Sequence, residues 1–127
     1  MKYAFENLEV WQKSRMLVKS VYQLTSVFPN EEKYGLTSQL RRASISVSSN
    51  IAEGSTRWSR KDQARFYEIA FGSLIEVLNQ LILSDDLNFL PDDSLENIRI
   101  DIDSIGRMLN SLHQSTKKPI NTSTQKL

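Results

Sequence analysis

The sequence predicts an all-α protein, an up-down-up-down four-helix bundle, from three observations. No strand-like alternation of apolar and polar residues occurs anywhere in the 127 residues. Chain breakers cluster at only three places: Phe28-Pro29-Asn30, Glu53-Gly54-Ser55-Thr56 and Asn88-Phe89-Leu90-Pro91-Asp92. They leave four segments, 7–28, 36–53, 59–84 and 93–115, each long enough for several helical turns and joined by short loops. Short connections favour antiparallel neighbours, which is the up-down topology.

The first segment carries a broad apolar arc, with Leu8, Trp11, Val18 and Tyr22 beside Val10, Leu17, Val21, Leu24 and Phe28. Asn7 or Glu6 is its expected cap. In the second, Leu36, Leu40, Ala43, Val47 and Ile51 form a core stripe, with Thr37 near its start as the expected cap. The third, opened by Ser59, has two stripes. Phe66, Ala70, Val77 and Leu81 form one; Phe71, Ile75, Leu78 and Ile82 form another, rotated by about a quarter to a third of a turn. One stripe fills a core. The second is either a wider core arc or an interface between copies. The fourth follows Asp92 and Asp93 and gives the cleanest seam, Leu95, Ile98, Ile102, Ile105, Leu109 and Leu112. Residues 1–115 thus read as one domain. Residues 116–127, rich in Ser, Thr, Lys, Asn and Gln, read as a disordered polar tail.

A chain of this size buries about two-thirds of its unfolded surface, and 39% hydrophobic with 24% charged residues suits an ordinary globular protein. With no Cys there are no disulfides and no thiolate metal sites, in keeping with a reducing cytoplasm. No apolar run reaches membrane-spanning length and the N-terminus lacks a signal-peptide core, so no membrane partner is expected.

On the second helix Gln39, Arg42, Ser46, Asn50 and Glu53 fall on one strip, with Ile45 and Ala52 on its far side. Partners are expected on the third helix at Ser73 and Glu76, with Gly72 leaving room for close helix approach. The strip is either a polar site in a cleft or a network that fixes helix register and subunit pairing. Charge is segregated. Residues 57–65 carry a net +3, residues 84–103 a net −6, while the whole chain is +1. In the bundle the 57–61 loop shares an end with both termini, so Lys2, Lys117 and Lys118 join it. Glu31, Glu32, Asp85, Asp86, Asp92 and Asp93 gather at the other end. Arg57, Arg60, Lys61 and Arg65 can neutralise phosphates, and Trp58 among them can stack on a base. The plainer alternative is a solvated helix cap with Trp58 packed over the bundle end.

Catalytic patterns are mostly excluded. The single His113 rules out multi-His metal sites, the four glycines form no phosphate loop, and neither a catalytic residue nor a cofactor is implied. Glu53 and Glu76 could form a carboxylate pair, but Arg42 and Asn50 beside them favour a structural network. Arg107 and His113 have five residues between them, a spacing similar to the Arg-x4–6-His of helical RNases in the HEPN superfamily. On a continuous helix they point about a third of a turn apart, which argues against a joint role.

Leu36-Thr37-Ser38-Gln39-Leu40-Arg41-Arg42-Ala43, Ser49-Asn50-Ile51-Ala52-Glu53-Gly54 and Ala70-Phe71-Gly72-Ser73-Leu74-Ile75-Glu76 carry a resemblance, as does the opening Phe5-Glu6-Asn7-Leu8-Glu9-Val10-Trp11. Over residues 5–113 the chain resembles the four-helix-bundle proteins encoded in intervening sequences of bacterial 23S ribosomal RNA genes. That fold is similar to the accessory variability proteins of diversity-generating retroelements, which form pentameric barrels and bind nucleic acid and a reverse transcriptase. The resemblance implies a homo-oligomer, with five copies preferred, and RNA or DNA or a nucleic-acid-processing protein as partner. The chain departs from the pattern at Phe71, where a basic residue is common, and in its near-neutral charge.

Overall fold

A computed structural model describes residues 2–118, so all but the start of the expected tail lies outside the described residues. Four helices carry the fold: α1 (Glu9–Thr25), α2 (Leu36–Ser55), α3 (Arg60–Asp86) and α4 (Ser94–Ser115). Two short 3-10 turns, Ala4–Asn7 and Asn30–Glu32, precede α1 and α2. No strand occurs among the described residues. Each helix packs on the next and α1 closes against α4, whereas the diagonal pairs do not meet. This is the up-down-up-down bundle.

The core takes one face from each helix. Leu17 and Val21 of α1, Leu40, Val47 and Ile51 of α2, Leu74, Val77 and Leu81 of α3, and Ile102, Ile105 and Leu109 of α4 are all essentially sealed from solvent. On α4 the predicted seam holds throughout, with Leu95 and Leu112 half-buried at its ends. On α3 the buried row is Tyr67, Ala70, Leu74, Val77, Gln80, Leu81 and Ser84, while Phe66 is only half-buried. By length and composition α3 could also cross a membrane, contrary to the sequence expectation. One face of it, with Ala70, Leu74, Val77 and Leu81, is the core of this bundle, while Ile69, Phe71, Ile75 and Leu83 are exposed.

Three of the caps differ from expectation. Glu6 accepts from the Tyr3 amide (2.8 Å) at the first 3-10 turn, and Leu8, without a side-chain bond, stands at the start of α1. At α2 the Glu32 carboxylate, not Thr37, accepts from the Leu36 amide (3.2 Å), and Thr37 is buried. Asp93 adopts a left-handed backbone (φ 66°), so its side chain makes no cap at α4. Ser59 does cap α3, its Oγ accepting from the Asp62 amide at 3.1 Å.

Gly54 is the residue that allows close approach of α2 and α3. A Cβ there would lie 2.7 Å from Tyr67 Cε1 and 2.9 Å from Phe66 Cβ. Gly72, to which the sequence reading gave this role, has nothing within 4 Å of the position a Cβ would take and faces outward.

Candidate nucleic-acid interface

The α2–α3 loop, residues 56–59, is tied down on both sides. Thr56 closes α2, its amide and hydroxyl both bonded to the Glu53 carbonyl, and the Arg57 amide donates to the Gly54 carbonyl. The Gln63 side chain reaches back from α3 to the Arg57 carbonyl (3.1 Å). Between these anchors Trp58 stands out at the tip, with 102% relative exposure. The alternative in which Trp58 packs over the bundle end does not hold for this chain.

The cations around Trp58 differ in how they are held. The Arg57 guanidinium lies 4.3 Å from the Phe66 ring centre and 3.6 Å from the Glu53 carboxylate. Arg65 lies over the same ring at 5.0 Å. Arg60 donates to the Ser115 carbonyl at 3.0 Å, where a cation also complements the negative end of the α4 dipole. Lys61 has no ion-pair partner among the described residues. All four are exposed, as are Lys2, Lys117 and Lys118. The Arg60–Ser115 bond fixes the loop beside the C-terminus of α4, so the basic residues do share one end. Thr116, buried and bonded to the His113 carbonyl, completes that end. Asp85, Asp86, Asp92 and Asp93 are exposed at the opposite end.

The polar strip runs along the outer edge of the α2–α3 contact, not in a cleft. Gln39, Arg42 and Glu53 are exposed, and Ser46 and Asn50 are half-buried. Two cross-helix links form. Ser46 and Ser73 share a hydrogen bond at 2.8 Å, with Asn50 donating to Ser46. Gln80, absent from the sequence reading, donates to Gln39 (3.2 Å) and Glu76 (3.1 Å) while its own Oε1 is buried without a partner. Arg42 joins neither link, and Glu53 pairs with Arg57 instead of Glu76.

The second α3 stripe borders α4. Phe71 and Ile75 remain exposed at 42% and 47%, while Leu78 and Ile82 are half-buried. Phe71, Ile75 and Leu78 line an open α3–α4 groove of about 400 Å³ with Ile102 and Arg107. Toward the basic end it continues as a pocket of about 220 Å³, where His113 Nε2 meets the Glu68 carboxylate at 2.7 Å. Sequence reasoning could not find this pair, because its members are far apart in the chain. His113 thus turns to α3, while Arg107 also lines the α1–α4 groove with Glu9 and Val10. The HEPN-type pairing is not formed.

The sequence profile of the 23S rRNA-intervening sequence protein family matches residues 6–111. The chain belongs to that family. A solved structure with the same fold is that of a protein of unknown function from the S23 ribosomal protein family of Bacteroides thetaiotaomicron. It is 26% identical, spans 82% of this chain and 97% of its own, and superposes with a TM-score of 0.75. No curated protein matches.

Proposed function

We propose that this member of the intervening-sequence family is a non-enzymatic, cytoplasmic homo-oligomer, five copies preferred, that binds RNA or DNA at its basic end. It does so alone or with a nucleic-acid-processing protein. The observation that carries this reading is the fully exposed Trp58 flanked by Arg57, Arg60 and Lys61 on a pinned loop. One such loop neutralises only a few phosphates and binds weakly. A ring presents several copies on one face, and simultaneous contacts multiply affinity. The half-exposed Phe71 and Ile75 supply apolar area for assembly. Light scattering at micromolar concentration should give a mass several times 14.6 kDa. A clean monomer contradicts the assembly.

Binding is tested by changing Arg57, Arg60 and Lys61 together to Ala. The variant should keep the parent's mass and lose most of its affinity for RNA and DNA. Changing Asp92 and Asp93 at the far end should not weaken binding. The second reading, a protein-interaction scaffold, draws on the exposed Ile45, Ile69, Phe71 and Ile75. It becomes the better one if the assembled parent binds no nucleic acid at low salt.

A further inference from the structure

We infer that the basic end takes unpaired rather than duplex nucleic acid, with an exposed base stacking on the Trp58 indole. This rests on the nucleic-acid reading above and adds the class of strand. In a duplex the base faces are covered by their neighbours, and an indole meets only edges and backbone. In a single strand or loop every base offers a free π-face. The geometry around Trp58 suits the second case. The indole has both faces open at 102% exposure, and the anchors at Thr56, Ser59 and Gln63 hold its loop. The nearby Phe66 ring is occupied by the Arg57 and Arg65 guanidiniums at 4.3 and 5.0 Å, so Trp58 is the free aromatic of the loop. Arg57 precedes it and Arg60 and Lys61 follow it in sequence, all three exposed, so a strand stacked on the indole has phosphate partners within the loop and the start of α3. Nothing in the loop resembles a duplex reader: four residues between two helix ends offer no helix or ribbon to enter a groove.

The chain has two tryptophans, and Trp11 is held edge-on against Phe5 at 5.0 Å, so Trp11→Phe leaves Trp58 as the sole tryptophan, read by excitation at the red edge where tyrosine does not absorb. In that background the full chain is titrated with oligothymidylate of about 20 nucleotides and with a blunt duplex of equal length. The single strand should bind more tightly at equal salt and quench Trp58 emission; the duplex should do neither. Trp58→Ala should lower single-strand affinity about tenfold and leave duplex affinity within about twofold, because stacking is the term removed. Its fold should be unaffected, since Trp58 packs on nothing. Equal or tighter duplex binding overturns the inference, as does a Trp58→Ala variant that weakens both ligands alike or neither. A loss of oligomer mass in Trp58→Ala would also overturn it, showing the indole to be a subunit contact. In those outcomes, provided the triple Arg57, Arg60 and Lys61 variant still loses binding, the nucleic-acid reading survives. If the parent binds neither ligand, both fall.

Discussion

Replacing Gly54 by Ala should destabilise the bundle although alanine is the better helix former. Gly54 is the penultimate residue of α2, where the exchange alone would gain at most about 0.4–1 kcal/mol. Against this, the new methyl would lie 2.7 Å from Tyr67 Cε1 and 2.9 Å from Phe66 Cβ. Carbon atoms prefer about 3.5–4.0 Å, so roughly an ångström must be found. The Tyr67 ring is buried (4% exposed), and Phe66 Cβ is attached directly to the α3 backbone, so the helix itself has to move. Overpacking of this kind costs about 1–3 kcal/mol. The net loss is then about 1 kcal/mol, reaching about 2 if neither side chain gives way, or a melting temperature lower by about 3–10 °C for a domain of this size. Thermal melts by circular dichroism with urea unfolding would measure it. Gly72→Ala is the matched comparison, with open space where its methyl goes and an expected gain of about 0.4–1 kcal/mol. If Gly54→Ala is as stable as the parent or more so, the close α2–α3 approach is not what makes glycine necessary there.

Gln80→Met should be close to neutral, within about 1 kcal/mol, because it removes a buried acceptor without a partner and leaves Gln39 and Glu76 in water. A larger loss by urea unfolding would show that the bonds to Gln39 and Glu76 outweigh the unpartnered acceptor. Glu53→Leu should change stability by less than about 0.5 kcal/mol, since Glu53 is exposed and pairs only with Arg57. A drop of several degrees in melting temperature would refute that. Burial raises the Tyr67 phenol above its ordinary pKa of 10.0. Folding therefore holds this proton more tightly than the unfolded chain does. The contribution is complete below about pH 10 and is lost as pH rises through the folded value. Tyr67→Phe should remove that component; equal alkaline decline in parent and variant would contradict it.

Much of the bundle was legible because an amphipathic helix announces its face. The α4 seam was read correctly since its outward positions are almost wholly polar, with Ile100 the exception. On α3 the periodic signal is nearly flat, because Ile69, Phe71, Ile75 and Leu83 are apolar and exposed. The buried row through Tyr67, Leu74 and Gln80 was therefore only half recovered. The 3-10 turns were missed because three or four residues carry no period. Choosing between Gly54 and Gly72 needs the atoms that stand opposite, which a single sequence does not show. The same holds for the polar strip: its residues were visible, but Gln80 and the Ser46–Ser73 link depend on how two helices register. The basic end was legible in charge and topology, whereas the exposure of Trp58 followed only from the loop anchors.

The most direct measurement of the central claim is the salt dependence of single-strand binding by the assembled protein, in parent and triple Ala variant. Each neutralised phosphate contributes about −0.7 to the slope of log K against log salt for single strands. Several loops acting together, each with Arg57, Arg60 and Lys61, should give the parent a slope steeper than about −2. The variant, left with Arg65 and the lysines of that end, should bind more weakly and with a clearly shallower slope. A parent slope near zero, or equal slopes in parent and variant, would contradict binding through the basic end.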